Sequence, residues 1–163
     1  MSRSAILSNG RLAVGLDERG FVHDFYYPYV GLNNVTSARS VKHKMGIWVD
    51  GDFSWLDSSQ WSGTTTLDEH SLMSHTLFVS DKYGISIHMR DFVDNEQDVF
   101  GRVVIVENRF NKVRDVRLFF GRHSIQWVGT RTFSPITDTL RLLLAYELWM
   151  EHHLINLLLV TTH

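Results

Sequence analysis

The sequence predicts an all-β fold, an antiparallel β-sandwich, with one helix near the C-terminal end. Up to about Phe120, short runs in which apolar and polar residues alternate are separated by turn residues, a pattern typical of β-hairpins. Aromatic residues make up 12% of the chain against two prolines, which favours strands whose large side chains pack between two sheets. Beyond that point the chain is rich in leucine and poor in turn residues.

Four hairpins are predicted, each formed by two alternating runs that flank a short turn. The turns lie at residues 17–20, 50–51, 81–84 and 111–112. Gly20 is free to take the positive φ that the first turn needs, and Asp-Gly at the second turn is the strongest short-range hairpin signal. Such a series of hairpins with short loops predicts the antiparallel architecture.

Residues 137–150 are predicted to form a helix, because they belong to the leucine-rich stretch that has almost no turn residues. The polar residues of this stretch spread over much of the helical wheel, so its amphipathic pattern is poor. A local pattern that conflicts with the fold it must join is a warning sign. We therefore divide the chain into a β-sandwich segment, residues 5–120, and an atypical leucine-rich tail, residues 121–163.

Composition excludes several classes of protein. Of the 163 residues 44% are apolar and 21% charged, with a net charge of -2, which fits a globular domain without a basic surface for nucleic acid. The absence of cysteine excludes disulfides and thiolate metal sites. The N-terminus lacks an apolar signal segment, and charges interrupt the longest apolar stretch. We expect a cytoplasmic protein that binds neither nucleic acid nor a membrane.

An aromatic run after the first predicted hairpin has two interpretations. Tyr26, Tyr27 and Tyr29 could stack on the apolar faces of a sugar, or they could be ordinary strand residues divided between core and rim. The second interpretation is favoured, and the three tyrosines are kept as candidate substrate-binding residues.

Three tryptophans offer the same alternatives. Trp48, Trp55 and Trp61 could form a sugar-binding platform, or they could pack in the core. Because Trp48 and Trp55 flank one predicted turn, they could pair across it, and core packing is favoured.

No pattern of catalytic or metal-binding residues is recognisable. Nine histidines are scattered along the chain, whereas a zinc site needs a specific ligand set, so neither a metal nor a cofactor is expected. The acidic segment at residues 91–98 lacks the central glycine and terminal glutamate of a calcium loop. We interpret it as a solvated connection between strands, whose flexible carboxylates have no reason for shifted pKa values.

A longer stretch carries more information. Residues 8–34 read SNGRLAVGLDERGFVHDFYYPYVGLNN and combine an N-G-x-L strand, a D-E-x-G turn and a Y-P-x-V-G-x-x-N segment. Further blocks follow at residues 46–55, 83–93 and 104–120, the last ending in VRLFF. As an ordered set, these blocks resemble the opening of bacterial and archaeal proteins of glycoside hydrolase family 15, over residues 5–120.

The resemblance implies an incomplete, galactose mutarotase-like β-sandwich that precedes a helical-barrel catalytic domain. Family members include glucoamylases, glucodextranases and some trehalases, which hydrolyse α-glucosidic bonds with inversion. The two catalytic glutamates lie in the barrel, and no residue of this chain matches them. The resemblance therefore implies a non-catalytic domain that packs against the barrel and is inactive alone. If this domain contacts an α-glucan, Tyr26, Tyr27 and Tyr29 are the candidate residues.

Two other functions stay open. The chain could be a stand-alone carbohydrate-binding module, with the aromatic run as its platform. It could also be an interaction domain that docks on a separately encoded helical partner.

The resemblance ends at about Gly121, where the composition changes. We hypothesise that residues 121–163 come from a reading-frame shift or a misjoined gene fragment. Translation of the other two frames after the Phe120 codon is expected to recover strands that resemble the family. If neither frame yields such strands, the hypothesis is wrong.

Overall fold

A computed structural model describes residues 5–30, 44–121, 125–133, 140–148 and 153–161 of the chain. All regular elements in these ranges are antiparallel β-strands, which confirms the all-β prediction. No helix in the described part is long and apolar enough to cross a membrane. The strands are β1 (Ala5–Ser8), β2 (Ala13–Leu16), β3 (Val22–Tyr26), β4 (Lys44–Val49), β5 (Asp52–Trp55), β6 (Ser62–Leu67), β7 (Met73–Ser80), β8 (Ile85–Val93), β9 (Val99–Asn108), β10 (Arg114–Gly121), β11 (Ile125–Phe133), β12 (Leu140–Leu148) and β13 (His153–Thr161).

The strands form three sheets. The largest has six strands in the order β13-β12-β9-β8-β7-β6, the second has four in the order β11-β10-β4-β5, and the smallest is β1-β2-β3. The six-stranded and four-stranded sheets share a first hydrophobic cluster, to which Phe78, Ile87 and Val104 contribute from one sheet and Ile47 and Leu118 from the other. These two sheets therefore make the sandwich.

A second hydrophobic cluster lies under the three-stranded sheet. It joins Leu7, Val14 and Phe25 of that sheet to Val93 and Phe100 at one end of the six-stranded sheet. The rings of Phe25 and Phe100 meet edge to face at 6.2 Å. The inner face of the six-stranded sheet is thus covered by both smaller sheets.

A buried ion pair lies between the two clusters. Asp91 of β8 and Arg102 of β9 are cross-strand partners, and their side chains are 0% and 2% exposed. Arg102 donates through Nε to Asp91 Oδ1 over 2.6 Å and through Nη2 to Oδ2 over 2.7 Å. On β8 the aspartate stands between Met89 of the first cluster and Val93 of the second. The pair therefore occupies the seam at which the two cores meet.

The same guanidinium fixes the turn between β2 and β3. It donates to the carbonyl of Gly20 over 2.8 Å. Gly20 has a φ of 74°, and a Cβ there would lie 2.2 Å from Thr76 Oγ1, so glycine is required. The neighbouring Arg19 donates to the carbonyls of Leu56 and Trp61 in the β5–β6 connection. This turn thereby ties the three-stranded sheet to the sandwich.

Three of the four predicted hairpins are present, and the fourth prediction is wrong. Strands β9 and β10 flank the predicted turn at residues 111–112 but belong to different sheets. Strand β9 pairs with β8 and β12, whereas β10 pairs with β4 and β11. A short turn between alternating runs cannot distinguish a hairpin from a crossing between two sheets, because the choice depends on which strand edges are already paired.

The helix predicted at residues 137–150 is also wrong over residues 140–148, whereas residues 137–139 and 149–150 lie outside the described residues. Residues Leu140–Leu148 form β12, which pairs with β9 on one side and with β13 on the other. Strand β9 would otherwise leave an edge of unpaired backbone groups, and pairing outweighs the helical preference of leucine. The tail thus joins both sheets of the sandwich, through β11 and through β12 with β13. The hypothesis of a shifted reading frame stays untested.

Loss of either charge from the seam should destabilise the fold strongly. Arg102→Met leaves Asp91 buried without its counter-ion, and each single change of the pair is expected to cost about 3–5 kcal/mol. The double variant Asp91→Leu/Arg102→Met should be more stable than either single variant, because no unpaired charge remains. Urea unfolding followed by circular dichroism measures these differences.

The matched control is Arg11→Met, which removes a pair whose side chains are 51% and 24% exposed. That change should cost less than about 1 kcal/mol. Single variants of the seam that unfold at the same urea concentration as this control would contradict the assigned role.

Candidate functional site

The predicted sugar-contacting tyrosines lie at the end of β3. Tyr26 closes the strand, and the peptide bond between Tyr27 and Pro28 is cis. Tyr26 and Tyr27 are half-buried, and Tyr27 packs against the second hydrophobic cluster. Tyr29 is 66% exposed. Of the three rings, Tyr29 alone is largely open to solvent, and sugar binding by this segment stays a prediction.

Polar side chains of the β1–β2 turn hold the acidic loop that follows β8. The Asn9 side chain donates to the carbonyls of Asp94 and Gln97 over 2.9 and 3.0 Å. Arg11 Nε donates to Asp98 Oδ1 over 2.8 Å, and a hydrogen bond between the Tyr27 phenol and Asp98 raises the pKa of Tyr27. The loop is therefore pinned to the β1–β2 turn and to the end of β3.

The acidic segment at residues 91–98 differs from its prediction in two ways. Asp91 is completely buried in β8 rather than solvated. The Asp94 carboxylate accepts the backbone N–H groups of Gln97 and Glu96 over 2.8 and 2.9 Å, and these bonds lower the pKa of Asp94. Burial opposes ionisation of Asp98, but hydrogen bonds from Arg11 and Asn9 outweigh it and lower the pKa of Asp98. The turn orders these carboxylates, so their pKa values do shift.

An aromatic surface covers the outer face of the four-stranded sheet. It consists of Trp48, Phe53, Trp55 and Phe119, which lie on β4, β5 and β10. The Phe53 ring meets the Trp55 ring edge to face at 4.9 Å and the Phe119 ring at 5.4 Å. Phe53 is 40% exposed, and the other three are half-buried. Aromatic side chains of two neighbouring hairpin strands and a third strand thus form one cluster that faces solvent.

Gly46 makes room for this aromatic surface. A Cβ at Gly46 would lie 2.6 Å from Phe53 Cζ and 3.0 Å from Trp55 Cε3. Any other residue would therefore displace the two rings from the sheet. Gly46 is the cross-strand partner of both Trp55 and Phe119, so the rings converge above it.

The aromatic surface corrects the interpretation of the tryptophans. Trp61 is 3% exposed and stacks on Tyr83 at 5.6 Å, as the core interpretation requires. Trp48 and Trp55 lie outside the core, because Ile47 and Val49 point inward on the same strand and leave the alternate positions outside. Trp48 pairs with Phe53 rather than with Trp55. Strand alternation, applied to Gly46 and Trp48 together, would have revealed this surface from the sequence.

Charged groups flank the aromatic surface in pairs. The Arg117 guanidinium lies 4.3 Å from the centre of the Trp48 ring and forms an ion pair of 3.0 Å with Asp115. Lys44, which precedes Met45 on β4, pairs with Asp57 over 2.9 Å. Each cation is therefore neutralised by an adjacent carboxylate.

A shallow trough of about 290 Å³ lies on the outer face of the six-stranded sheet. Its polar lining includes Thr64, Thr66, His75, His88 and Arg90. The histidines have carboxylate neighbours, Asp68 at 3.7 Å from His75 and Glu107 at 3.3 Å from His88. Across the described residues, no group of three or more potential metal ligands comes together.

Five aspartates have pKa values below the usual range: Asp50, Asp52, Asp68, Asp94 and Asp98. For Asp52 the cause is hydrogen bonds from Lys82 and Tyr83, and for Asp68 it is the backbone N–H of His70. Burial opposes ionisation of Asp50, but hydrogen bonds from Asp115 N–H and Arg114 outweigh it. These carboxylates are stabilised as anions, whereas a general acid needs a carboxyl that keeps its proton.

Comparison with known proteins supports the fold. No protein-family model matches the sequence, and no curated protein matches it. Among solved structures, a bacterial glucoamylase in complex with acarbose is similar to this chain, with a TM-score of 0.55 and 9% sequence identity. The similarity covers 90% of this chain and 23% of the glucoamylase chain. The chain thus spans about a quarter of that protein's length, and the likeness shows a shared β-sandwich fold.

Titration of Tyr27 tests the network around the acidic loop. In Asp98→Asn the pKa of Tyr27 should fall toward its ordinary value, because the negative charge that disfavours the phenolate is gone. The ultraviolet absorbance of the phenolate, followed as the pH is raised through the alkaline range, measures the change. The variant Tyr27→Phe identifies the part of the absorbance that comes from Tyr27. An unchanged titration curve in Asp98→Asn would show that the two groups do not interact.

Proposed function

We propose that the chain is a non-catalytic β-sandwich domain, or part of one, of an enzyme that hydrolyses α-glucosidic bonds with inversion. It packs against a helical-barrel catalytic domain that this chain does not contain. The observation that carries the proposal is the fold similarity to a bacterial glucoamylase over 90% of this chain. The ordered sequence blocks of residues 8–120 support the same family.

The extent of the similarity supports an origin of the tail in the same kind of fold. Residues 1–120 make up about three quarters of the chain, so a match over 90% includes part of residues 121–163. In this proposal β11, β12 and β13 act as sandwich strands, whatever reading frame encodes them.

The carboxylates of the sandwich support an accessory role. Inverting hydrolysis needs a carboxylic acid and a carboxylate base about 6.5–9.5 Å apart, with the pKa of the acid raised. Three of the described aspartates engage in ion pairs: Asp91 with Arg102, Asp50 with Arg114, and Asp52 with Lys82. These residues stabilise strands and turns, and the proposal assigns the hydrolysis to the helical domain.

Reconstitution tests the proposal. The gene is read beyond the His163 codon in all frames, and the helical part that it encodes is expressed separately. The two purified proteins should form a 1:1 complex in size-exclusion chromatography. The complex should release glucose from maltose with inverted anomeric configuration, measured by NMR. The chain alone should release no glucose.

Two variants control for folding. Arg11→Met should keep the complex, whereas Arg102→Met should weaken it because the sandwich is destabilised. Glucose release by the chain alone would overturn the non-catalytic assignment. Absence of a helical domain from all frames near the gene would overturn the proposed partner.

A further inference from the structure

The aromatic surface on the outer face of the four-stranded sheet has no role in the sandwich core. Its members Trp48, Phe53, Trp55 and Phe119 lie opposite the buried residues of the same strands. We propose that this surface binds a neutral saccharide, specifically a linear α-glucan. The choice of α-linked glucose units rests on the proposed function, whereas the saccharide class rests on the surface itself.

The arrangement of the rings suits the apolar CH faces of a sugar. Phe53 and Trp55 lie over Gly46, where a Cβ would approach Phe53 to 2.6 Å, so both rings are drawn down onto the sheet. Phe119 closes the cluster from β10 at 5.4 Å from Phe53. Rings held in this way keep their conformation without a ligand, which lowers the entropy cost of binding.

The charges around the surface favour a neutral ligand. Arg117 pairs with Asp115, and Lys44 pairs with Asp57, so the flanking groups cancel. An acidic peptide or a nucleic acid would need unpaired cations here. A saccharide needs hydrogen-bonding groups beside aromatic rings, and both pairs supply them.

The Arg117–Asp115 pair also places exposed polar groups beside the Trp48 ring. The two side chains are 38% and 33% exposed, and the guanidinium lies 4.3 Å from the centre of the Trp48 ring. A hydroxyl of a sugar that stacks on Trp48 can donate to the exposed carboxylate or accept from the exposed guanidinium.

Titration of the full chain with maltoheptaose tests the proposal. Binding is followed by tryptophan fluorescence and by calorimetry, with cellohexaose as the β-linked comparison. Phe53→Ala should weaken maltoheptaose binding about fivefold, as expected for loss of one aromatic contact. Phe110→Ala is the matched control, because Phe110 is 41% exposed, Phe53 is 40% exposed, and each lies over a glycine. Thermal unfolding verifies that both variants fold.

Each outcome decides the proposal. Maltoheptaose binding that Phe53→Ala weakens and Phe110→Ala leaves unchanged supports it. No binding up to about 10 mM, or equal weakening by both variants, overturns it. Equal binding of cellohexaose keeps the saccharide site but overturns the α-glucan assignment. Self-association or partner binding that Phe53→Ala abolishes, without saccharide binding, makes the surface a protein interface and overturns the proposal.

Weakening by Tyr29→Ala rather than by Phe53→Ala would move the site to the end of β3. That result would overturn the aromatic surface as the site but leave the proposed function intact. The hydrolysis and reconstitution experiments test the proposed function separately, so the two can fail independently.

Discussion

The fold depends on one buried interaction, the bidentate ion pair between Asp91 and Arg102. Two hydrophobic clusters meet at this pair, and the guanidinium also reaches the Gly20 carbonyl of the β2–β3 turn. A buried charge without a partner is costly, so both residues must stay opposite each other. Since a shift of one residue would carry each charge to the other face of its strand, the pair fixes the register of β8 against β9. It also fixes the position of the three-stranded sheet.

Close packing of aromatic rings on glycine recurs on both sheets. Gly46 lies under Phe53 and Trp55 on the four-stranded sheet, and Gly101 lies under Phe92 on the six-stranded sheet. A ring that covers a glycine shields backbone that no side chain would otherwise protect. On the four-stranded sheet the result is an aromatic surface that faces solvent, with its rings packed edge to face.

The sequence predicted local structure well where the chemistry of a turn is decisive. Asp50 and Gly51 have φ values of 49° and 100°, as the Asp-Gly turn requires, and Gly20 has the expected positive φ. Short turns and alternating runs are local properties, so the strands of β2–β3, β4–β5 and β7–β8 could be read directly. The aromatic surface was not predicted, because pairing across a turn does not specify the face on which Trp48 stands. The ordering of Asp98 was missed because its partners Asn9 and Arg11 lie far away in sequence. Asp94 is instead ordered locally, by the N–H groups of Glu96 and Gln97.

The sequence by itself determined the all-β class, three hairpins, the lack of disulfides and a resemblance to one enzyme family. Tertiary structure decided which edges pair, and this placed β9 and β10 in different sheets and made Leu140–Leu148 a strand instead of a helix. It also decided that Asp91 is buried and that Trp48 and Trp55 face outward. The physical reason is the same in each case. Alternation along a strand specifies two faces, but only packing between distant segments decides which face is covered and which edge receives a partner.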